Sequence, residues 1–143
     1  MVEGTCREIA IERKLVELIQ ERLPGIDVVG LLVSDAREEI GATSVEVSVK
    51  PRTRVHATTP AISMAVAVDL SVASADDPSG SRLRSAFIEI GRLFNDLRME
   101  QWLSYRDFDC HDVQVDGGDV VRTEEGRAVS WALTVKGCVK ISF

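Results

Sequence analysis

One stretch of the chain decides the fold: residues 62–73 read ISMAVAVDLSVA, in which bulky and small side chains alternate without interruption. Alternation with a period of two predicts a β-strand with one buried face, and about 12 residues is long for a strand. Residues 128–135 repeat the alternation of large against small side chains. Two such strands predict a single sheet with one face of bulky side chains and one face of Ala, Ser and Thr. The bulky face has to be buried against other elements of the fold.

A first amphipathic helix is predicted from Thr5 onward. Thr5 and Glu8 have the spacing of a capping box, and Pro24-Gly25 ends the helix because Pro cannot continue it and Gly accepts left-handed torsions. Charged residues such as Glu12 lie between the apolar positions. These apolar positions recur every three or four residues: Ile9, Ile11, Leu15, Leu18, Ile19 and Leu23.

A second amphipathic helix is predicted after Asp77, with Pro78 at its first helical position. We expect it to extend toward Trp102 and Tyr105. Its apolar stripe is expected to face the core and consists of Leu83, Phe87, Ile90, Leu93, Phe94 and Leu97.

Further strands are predicted on both sides of the central one. The branched residues of Ile26–Ser34 favour a buried strand, and Ser44–Lys50 alternates as a half-solvated strand should. Pro51 interrupts that strand, so the following segment is predicted to form a hairpin arm at an edge. The last third is predicted to be a meander of strands at 110–115, 120–121 and 128–135, with turns at 116–119 and 124–126.

These elements predict an α+β fold with a mixed or antiparallel sheet of about four to six strands and two helices on one face. The 143 residues are expected to form a single α+β domain, residues 1–143, because a domain takes roughly 150 residues. No run approaches the ~18 apolar residues of a membrane span, and the charged N-terminus does not have the pattern of a secretory signal. We expect no membrane partner and no export.

Charge is distributed unevenly along the chain. The net charge is −6, and one stretch, residues 107–125, carries the imbalance. No basic surface is predicted that could hold a phosphate backbone, so nucleic acid is not an expected partner. Against the single base Arg122, this stretch contains Asp107, Asp109, Asp112, Asp116, Asp119, Glu124 and Glu125.

The residues that could carry chemistry form no recognisable active site. Phosphate-binding glycine loops and nucleophile elbows are absent from the sequence, and the spacing of the acids around His111 fails the pattern of a calcium loop. Cys110 and His111 are adjacent, so on a strand they point to opposite faces and do not meet. The three cysteines, Cys6, Cys110 and Cys138, lack the spacing of a disulfide framework or a zinc site. We therefore expect no catalysis, no metal and no cofactor.

Two charged elements are candidates for a subunit interface. The basic cluster on the predicted arm comprises Arg52, Arg54 and His56, after Lys50. It either protects an exposed strand edge or docks onto the acidic stretch of an adjacent copy, at Asp112, Asp116 and Asp119. A chain that carries both signs on separate elements can associate head to tail, so we expect a homo-oligomer.

The order of the elements resembles that of the tail-terminator and tail-completion proteins of long-tailed bacteriophages. The resemblance lies in Ile11–Gly25, the run Ile62–Ala73 leading into Asp77-Pro78, the helix Leu83–Leu97 and the closing strand Ala128–Val135. It covers most of the chain in order, size and style. It implies a structural subunit of a virion that forms a ring, commonly a hexamer, at the head–tail junction. The implied partners are other tail or neck proteins, and the implied locations are the virion and the host bacterial cytoplasm.

Two other classes of function remain open at this stage. A small enzyme or ligand-binding domain would place its site at the end of the sheet and use His56, His111 and the loop acids. An adaptor would bind one protein partner by strand addition to its exposed arm.

Overall fold

The alternating run forms β4 (Ala61–Ala73), the central strand of one mixed sheet. The structure is a computed structural model that describes residues 3–31, 43–49, 53–54, 61–105, 108–124 and 126–139. The other strands are β1 (Asp27–Gly30), β2 (Ser44–Val49), β3 (Thr53–Arg54), β5 (Phe108–Arg122) and β6 (Gly126–Val139). The strands lie in the order β1-β2-β4-β6-β5, and β3 pairs with β4 beside β2. The α+β fold is confirmed: the described residues form a sheet of six strands, and they form three α-helices where two were predicted.

Pairing in the sheet explains why it is mixed. β4 pairs antiparallel with β6 along its whole length, from Ala61 opposite Cys138 to Ala73 opposite Gly126. On its other side β4 pairs antiparallel with β2 and β3, whereas β1 joins β2 in parallel. In register, the bulky residues of β4 lie beside those of β6, so one face becomes the core. The buried bulky residues of these two strands are Ile62, Met64, Val66, Val68, Leu70, Val72, Val129, Trp131, Leu133 and Val135.

α1 (Glu3–Arg22) covers the β1–β2 end of the bulky face, with Ile11, Leu15 and Ile19 fully buried. Its predicted end is confirmed. The side chain of Gln20 donates to the carbonyl oxygens of Leu23 and Ile26 and accepts from the amide of Val28, which ties the helix end to β1. The predicted start is wrong: the chain is already helical at Glu3, so Thr5 lies inside the helix and is not its N-cap.

A charged residue of α1 is buried, contrary to its predicted place between the apolar positions. Glu12 is 0% exposed, and its carboxylate lies against the backbone of Gly30. A side chain at position 30 would occupy the same space as that carboxylate. Glycine at this position therefore makes room for a buried acid where α1 crosses β1.

α2 (Ser81–Phe94) begins three residues later than Pro78, which is not its first helical residue as predicted. Residues 78–80 form a turn that ends at Gly80, where φ is 77°. Asp77 nevertheless caps the helix, because its two carboxylate oxygens accept from the amides of Arg82 and Leu83, both at 2.9 Å. The hydrogen bond from Leu83 is the largest cause that holds the pKa of Asp77 below its ordinary value.

The predicted extension of α2 to Trp102 and Tyr105 is wrong, since a break separates it from α3 (Met99–Leu103). At the break, Asp96 accepts from the amide and guanidinium of Arg98, and this ion pair lowers the pKa of Asp96 to about 2. The break turns Leu97 into solvent, where it is 96% exposed. Phe87, also placed in the core stripe by the sequence, is 36% exposed at its margin.

The C-terminal third is one long hairpin instead of the predicted meander. The turn near residue 124 is confirmed, with the amide of Thr123 donating to the carbonyl oxygen of Gly126 at 2.8 Å. The turn predicted at 116–119 is a β-bulge inside β5, where Gly117 and Gly118 adopt φ of 100° and 94°. Two glycines absorb the extra residue without reversing the chain, and the indole of Trp131 lies over Gly118.

Core truncations are expected to distinguish the buried helix positions from the marginal one. Leu15→Ala should lower the free energy of unfolding by roughly 2–5 kcal/mol, because it opens a cavity in a fully buried site. Phe87→Ala should lower it by only about 1–2 kcal/mol, since this partly exposed ring packs mainly against Trp131, 5.8 Å away between centroids. Chemical denaturation of both variants measures the difference, and equal losses would contradict the described packing of α2.

The cap at Asp77 is expected to make stability depend on pH. Because its pKa is lowered in the folded state, the charged carboxylate stabilises the fold above the ordinary value of 3.8, and this contribution is lost as the pH falls through the lowered folded value. Asp77→Asn should therefore be less stable than wild type near neutral pH, and the gap should close in acid. Denaturation at a series of pH values tests this. Asp27→Asn, at an exposed position of β1, is the matched control for the loss of one charge and should cost less stability near neutral pH than Asp77→Asn.

Candidate assembly surface

The long strand β5 forms one margin of the sheet. Within the described residues it pairs with β6 on one side, and no strand pairs with its other side. Two β-bulges, between Cys110 and Asp112 and between Gly117 and Asp119, break its regular run of backbone groups. Bulges and charges at an edge discourage pairing with another strand. Contacts at this edge are therefore favoured through side chains rather than through an added strand.

The predicted acidic interface residues all belong to this edge strand. Asp112, Asp116 and Asp119 lie opposite Lys136, Ala132 and Ser130 of β6, which are positions of the small-residue face. Asp116 and Asp119 are exposed, and Asp112 is half-buried with its carboxylate accepting from the side-chain amide of Gln114 at 3.1 Å. The structure thus brings the three acids together on one face of one strand.

The structure describes only one of the basic residues that were predicted to contact these acids. Arg52 and His56 lie outside the described residues, and Arg54 is described by its backbone, in β3 opposite Ile62 of β4. β3 and β5 lie on opposite sides of the β4–β6 pair. Three strand spacings of about 4.8 Å separate them, or roughly 14 Å. In this part of the molecule the basic and acidic strands belong to different sides of the sheet.

The face of the sheet away from the helices carries small side chains and is uncovered in the described part of the chain. Ala65 and Ala132, both exposed, lie near its middle. Register also places an acidic row across it that the sequence pattern did not reveal, because it depends on four strands. The row runs from Glu46 through Asp69 and Ser130 to Asp119, and the Ser130 hydroxyl donates to Asp69 at 2.6 Å. Directly opposed like charges, such as those of Glu46 and Asp69, destabilise a sheet. A basic partner on this face would therefore reduce the repulsion between them.

An apolar strip lies on the other face of β5. Val115 and Val120 point toward the helix side but extend past the helices, and they are 38% and 54% exposed. The ring of Phe87 lies close to Gly118, which stands between these two valines along β5. Together these three residues add an apolar component to the charged edge, which is typical of surfaces that bind other proteins.

His111, the described member of the alternative ligand site, lies on the uncovered face at the start of β5. As predicted, it points away from Cys110, which is buried in the core. Its Nε2 atom is 3.2 Å from Sγ of Cys138, and its Nδ1 atom is 3.9 Å from a carboxylate oxygen of Asp109. His56 lies outside the described residues, so its place relative to His111 is not given. The sequence missed the contact between His111 and Cys138, since 27 residues separate them.

A cleft of about 390 Å³ lies at the other end of the sheet and does not include His111. It is an open cleft, and its lining shares only Glu124 with the loop acids. Across the part of the chain that the structure covers, no three His, Cys, Asp or Glu side chains are arranged to hold a metal ion. The residues that line the cleft are Ser71, Val72, Ala73, Thr123, Glu124, Gly126 and Arg127.

None of the helices in the described ranges has the length and apolarity to cross a membrane. No family model matches the chain, and no curated protein matches it.

Proposed function

We propose that the chain is a structural assembly subunit of the tail-terminator or tail-completion type, which forms a ring at the head–tail junction of a phage and acts without catalysis. The observation that carries the proposal is the separation of charge across the sheet. β5, which carries Asp112, Asp116 and Asp119, lies on one side of the β4–β6 pair. β3, which carries Arg54, lies on the other side of that pair. A contact between unlike surfaces of identical subunits is heterologous, and it produces a ring when the rotation between neighbours closes.

The chemistry of the edge supports contact through side chains. The two bulges of β5 leave only short regular segments, so strand addition, the contact that an adaptor would use, has little backbone to pair with. Opposite charges steer subunits into one orientation, and the apolar strip of Phe87, Val115 and Val120 adds surface to bury. In this proposal the acids of one subunit meet the basic segment 50–56 of the next.

The uncovered face supports a second set of contacts, with other tail or neck proteins. Its small residues allow another backbone to approach closely, and its acidic row of Glu46, Asp69 and Asp119 favours a basic surface. A ring subunit needs both kinds of surface, one toward its own copies and one toward the layers above and below it. The resemblance in element order adds support of the kind that a fold analogy gives.

The native mass tests the proposal first. Light scattering over a concentration series should detect a species of several subunits, and negative-stain images of the largest species should show closed rotational symmetry. A chain that stays monomeric at every concentration, with no rings in the images, would contradict ring formation by this chain alone.

Reversing the charge on either side is expected to weaken self-association. The pair Asp116→Lys and Asp119→Lys should lower the oligomer mass, and so should the pair Arg52→Glu and Arg54→Glu, because each puts like charges across the contact. Mixing the two double variants should restore association, since the reversed charges then complement each other at the contact that joins one variant to the other. Raising the salt concentration should weaken the wild-type oligomer by screening the same charges.

A matched control uses the exposed face of α1. Glu17→Lys and Glu21→Lys change the net charge by the same amount at exposed positions far from β5, and this variant should keep the wild-type mass. If both interface variants also keep that mass, the contact between the acids and the basic arm is wrong.

A further inference from the structure

Three side chains that could carry thiol chemistry meet on the uncovered face of the sheet. Asp109 lies directly opposite Cys138 in the β5–β6 register, and the bulge that follows Cys110 inserts His111 as an extra residue. The imidazole turns toward β6, with Nε2 3.2 Å from Sγ of Cys138. Nδ1 lies 3.9 Å from the Asp109 carboxylate, an ion-pair distance rather than a hydrogen bond. The side chains thus follow the order carboxylate, imidazole, thiol.

This order suits the activation of a thiol. The thiolate is the nucleophilic form of cysteine, and an imidazole nitrogen within hydrogen-bond reach of the sulfur can take its proton. The Asp109 carboxylate faces the other ring nitrogen and can orient the imidazole toward the sulfur. The other charged residues that register places on this face nearby are Lys136 and Asp112. Cys138 is half-buried, and His111 keeps 54% of its side chain exposed, so a small reagent can reach the pair.

The surroundings limit the kind of substrate. The site is an open sheet surface, and the strands around Cys138 use their backbone groups in pairing, so the described residues offer no set of amide donors for the oxyanion of acyl transfer. Thiol–disulfide exchange needs no such donors, because its charge passes from one sulfur to another. The chemistry that the geometry serves is therefore attack on a disulfide.

We propose that Cys138, activated by His111, reacts with low-molecular-weight disulfides and becomes a mixed disulfide. Nε2 of His111 takes the proton from Sγ, and the thiolate attacks one sulfur of the disulfide. The S–S bond of the reagent breaks as the new bond to Cys138 forms. The departing thiolate takes the proton from the imidazolium, so one disulfide and one protein thiol give a mixed disulfide and one free thiol.

A second cysteine in the same hairpin is a natural comparison. Cys110 lies opposite Gly137, on the core face of the sheet, and burial raises the pKa of its thiol to about 11. Its sulfur is separated from Cys138 by the sheet itself, so it is not positioned to resolve the mixed disulfide. The product on Cys138 is therefore expected to persist until an external thiol removes it.

The experiment uses the full chain with Cys6→Ser, so that the two cysteines of the hairpin remain. The protein is mixed with 2,2′-dithiodipyridine or with oxidised glutathione, and peptide mass spectrometry gives the rate at each cysteine. Cys138 is expected to react at least about tenfold faster than Cys110 and than a synthetic peptide of residues 133–143 near neutral pH. Cys138→Ser should abolish the fast phase.

The role of His111 is tested by His111→Gln, which keeps a polar side chain but removes the base. The rate at Cys138 should fall about tenfold near pH 7, to that of the peptide. The rate of an unassisted thiol falls about tenfold per pH unit below its pKa, whereas the wild-type rate should fall less steeply with pH, because His111 takes the proton from the thiol. The His111→Gln variant should follow the steep profile.

Two further variants separate the contacts. Asp109→Asn should slow the reaction a few-fold, whereas Asp27→Asn, the same change at an exposed position of β1, should not slow it. Thermal melting confirms that the variants are folded. Equal rates at Cys138 in the chain and in the peptide, or an unchanged rate in His111→Gln, would overturn the proposal. Neither result depends on whether the chain forms rings.

Discussion

The ladder between β4 and β6 pairs thirteen residues of β4 with thirteen of β6, and the rest of the structure depends on its register. In the middle of the ladder bulky residues pair with bulky ones and small residues with small ones, such as Val66 with Leu133 and Ala67 with Ala132. A slip of one residue would move every bulky side chain to the opposite face and separate it from the helices. One ladder thus decides which face becomes the core and which remains open.

The assembly proposal and the thiol proposal both use the open face, and both depend on irregularities in β5. The bulge at Cys110/Asp112 gives His111 its place beside Cys138, and the bulge at Gly117/Asp119 keeps the edge from presenting a regular ladder. Natural sheets use bulges both to protect an edge and to redirect a side chain. In this chain the two uses occur in one strand.

Features fixed by local sequence were predicted well. The alternation of β4, the end of α1 at Pro24-Gly25 and the turn near residue 124 follow from neighbouring residues alone, and the structure confirms them. Features fixed by distant contacts were not. Pairing with β6 turns the glycines at 117 and 118 into a bulge where their type favours a turn. One local feature was missed as well, since α2 ends just before the contact of Asp96 with Arg98, two residues later, although the apolar period continues past it.

The candidate site also has a part that local sequence predicts and a part that depends on distant pairing. Composition alone singled out the acids of residues 107–125, but their common face follows from the β5–β6 register. That register is displaced by one residue at each bulge, so counting back from the turn does not give the contact between His111 and Cys138. The acidic row was even harder to predict from local sequence, because Glu46 lies on β2 and Asp119 on β5, and two other strands lie between them. Arg52 and His56 stay predictions.

The strand order also has a consequence for the way the chain is made. β4 leaves the ribosome with its β2 partner already synthesised, but its β6 partner follows only after α2, α3 and β5. Until then one edge of the most apolar strand is open, a state in which chains associate wrongly. Closing a ladder between such distant segments is slow compared with forming helices. We therefore expect the pairing of β4 with β6 to be the slow step of folding, and the nascent chain to be most exposed to wrong association in the interval before it.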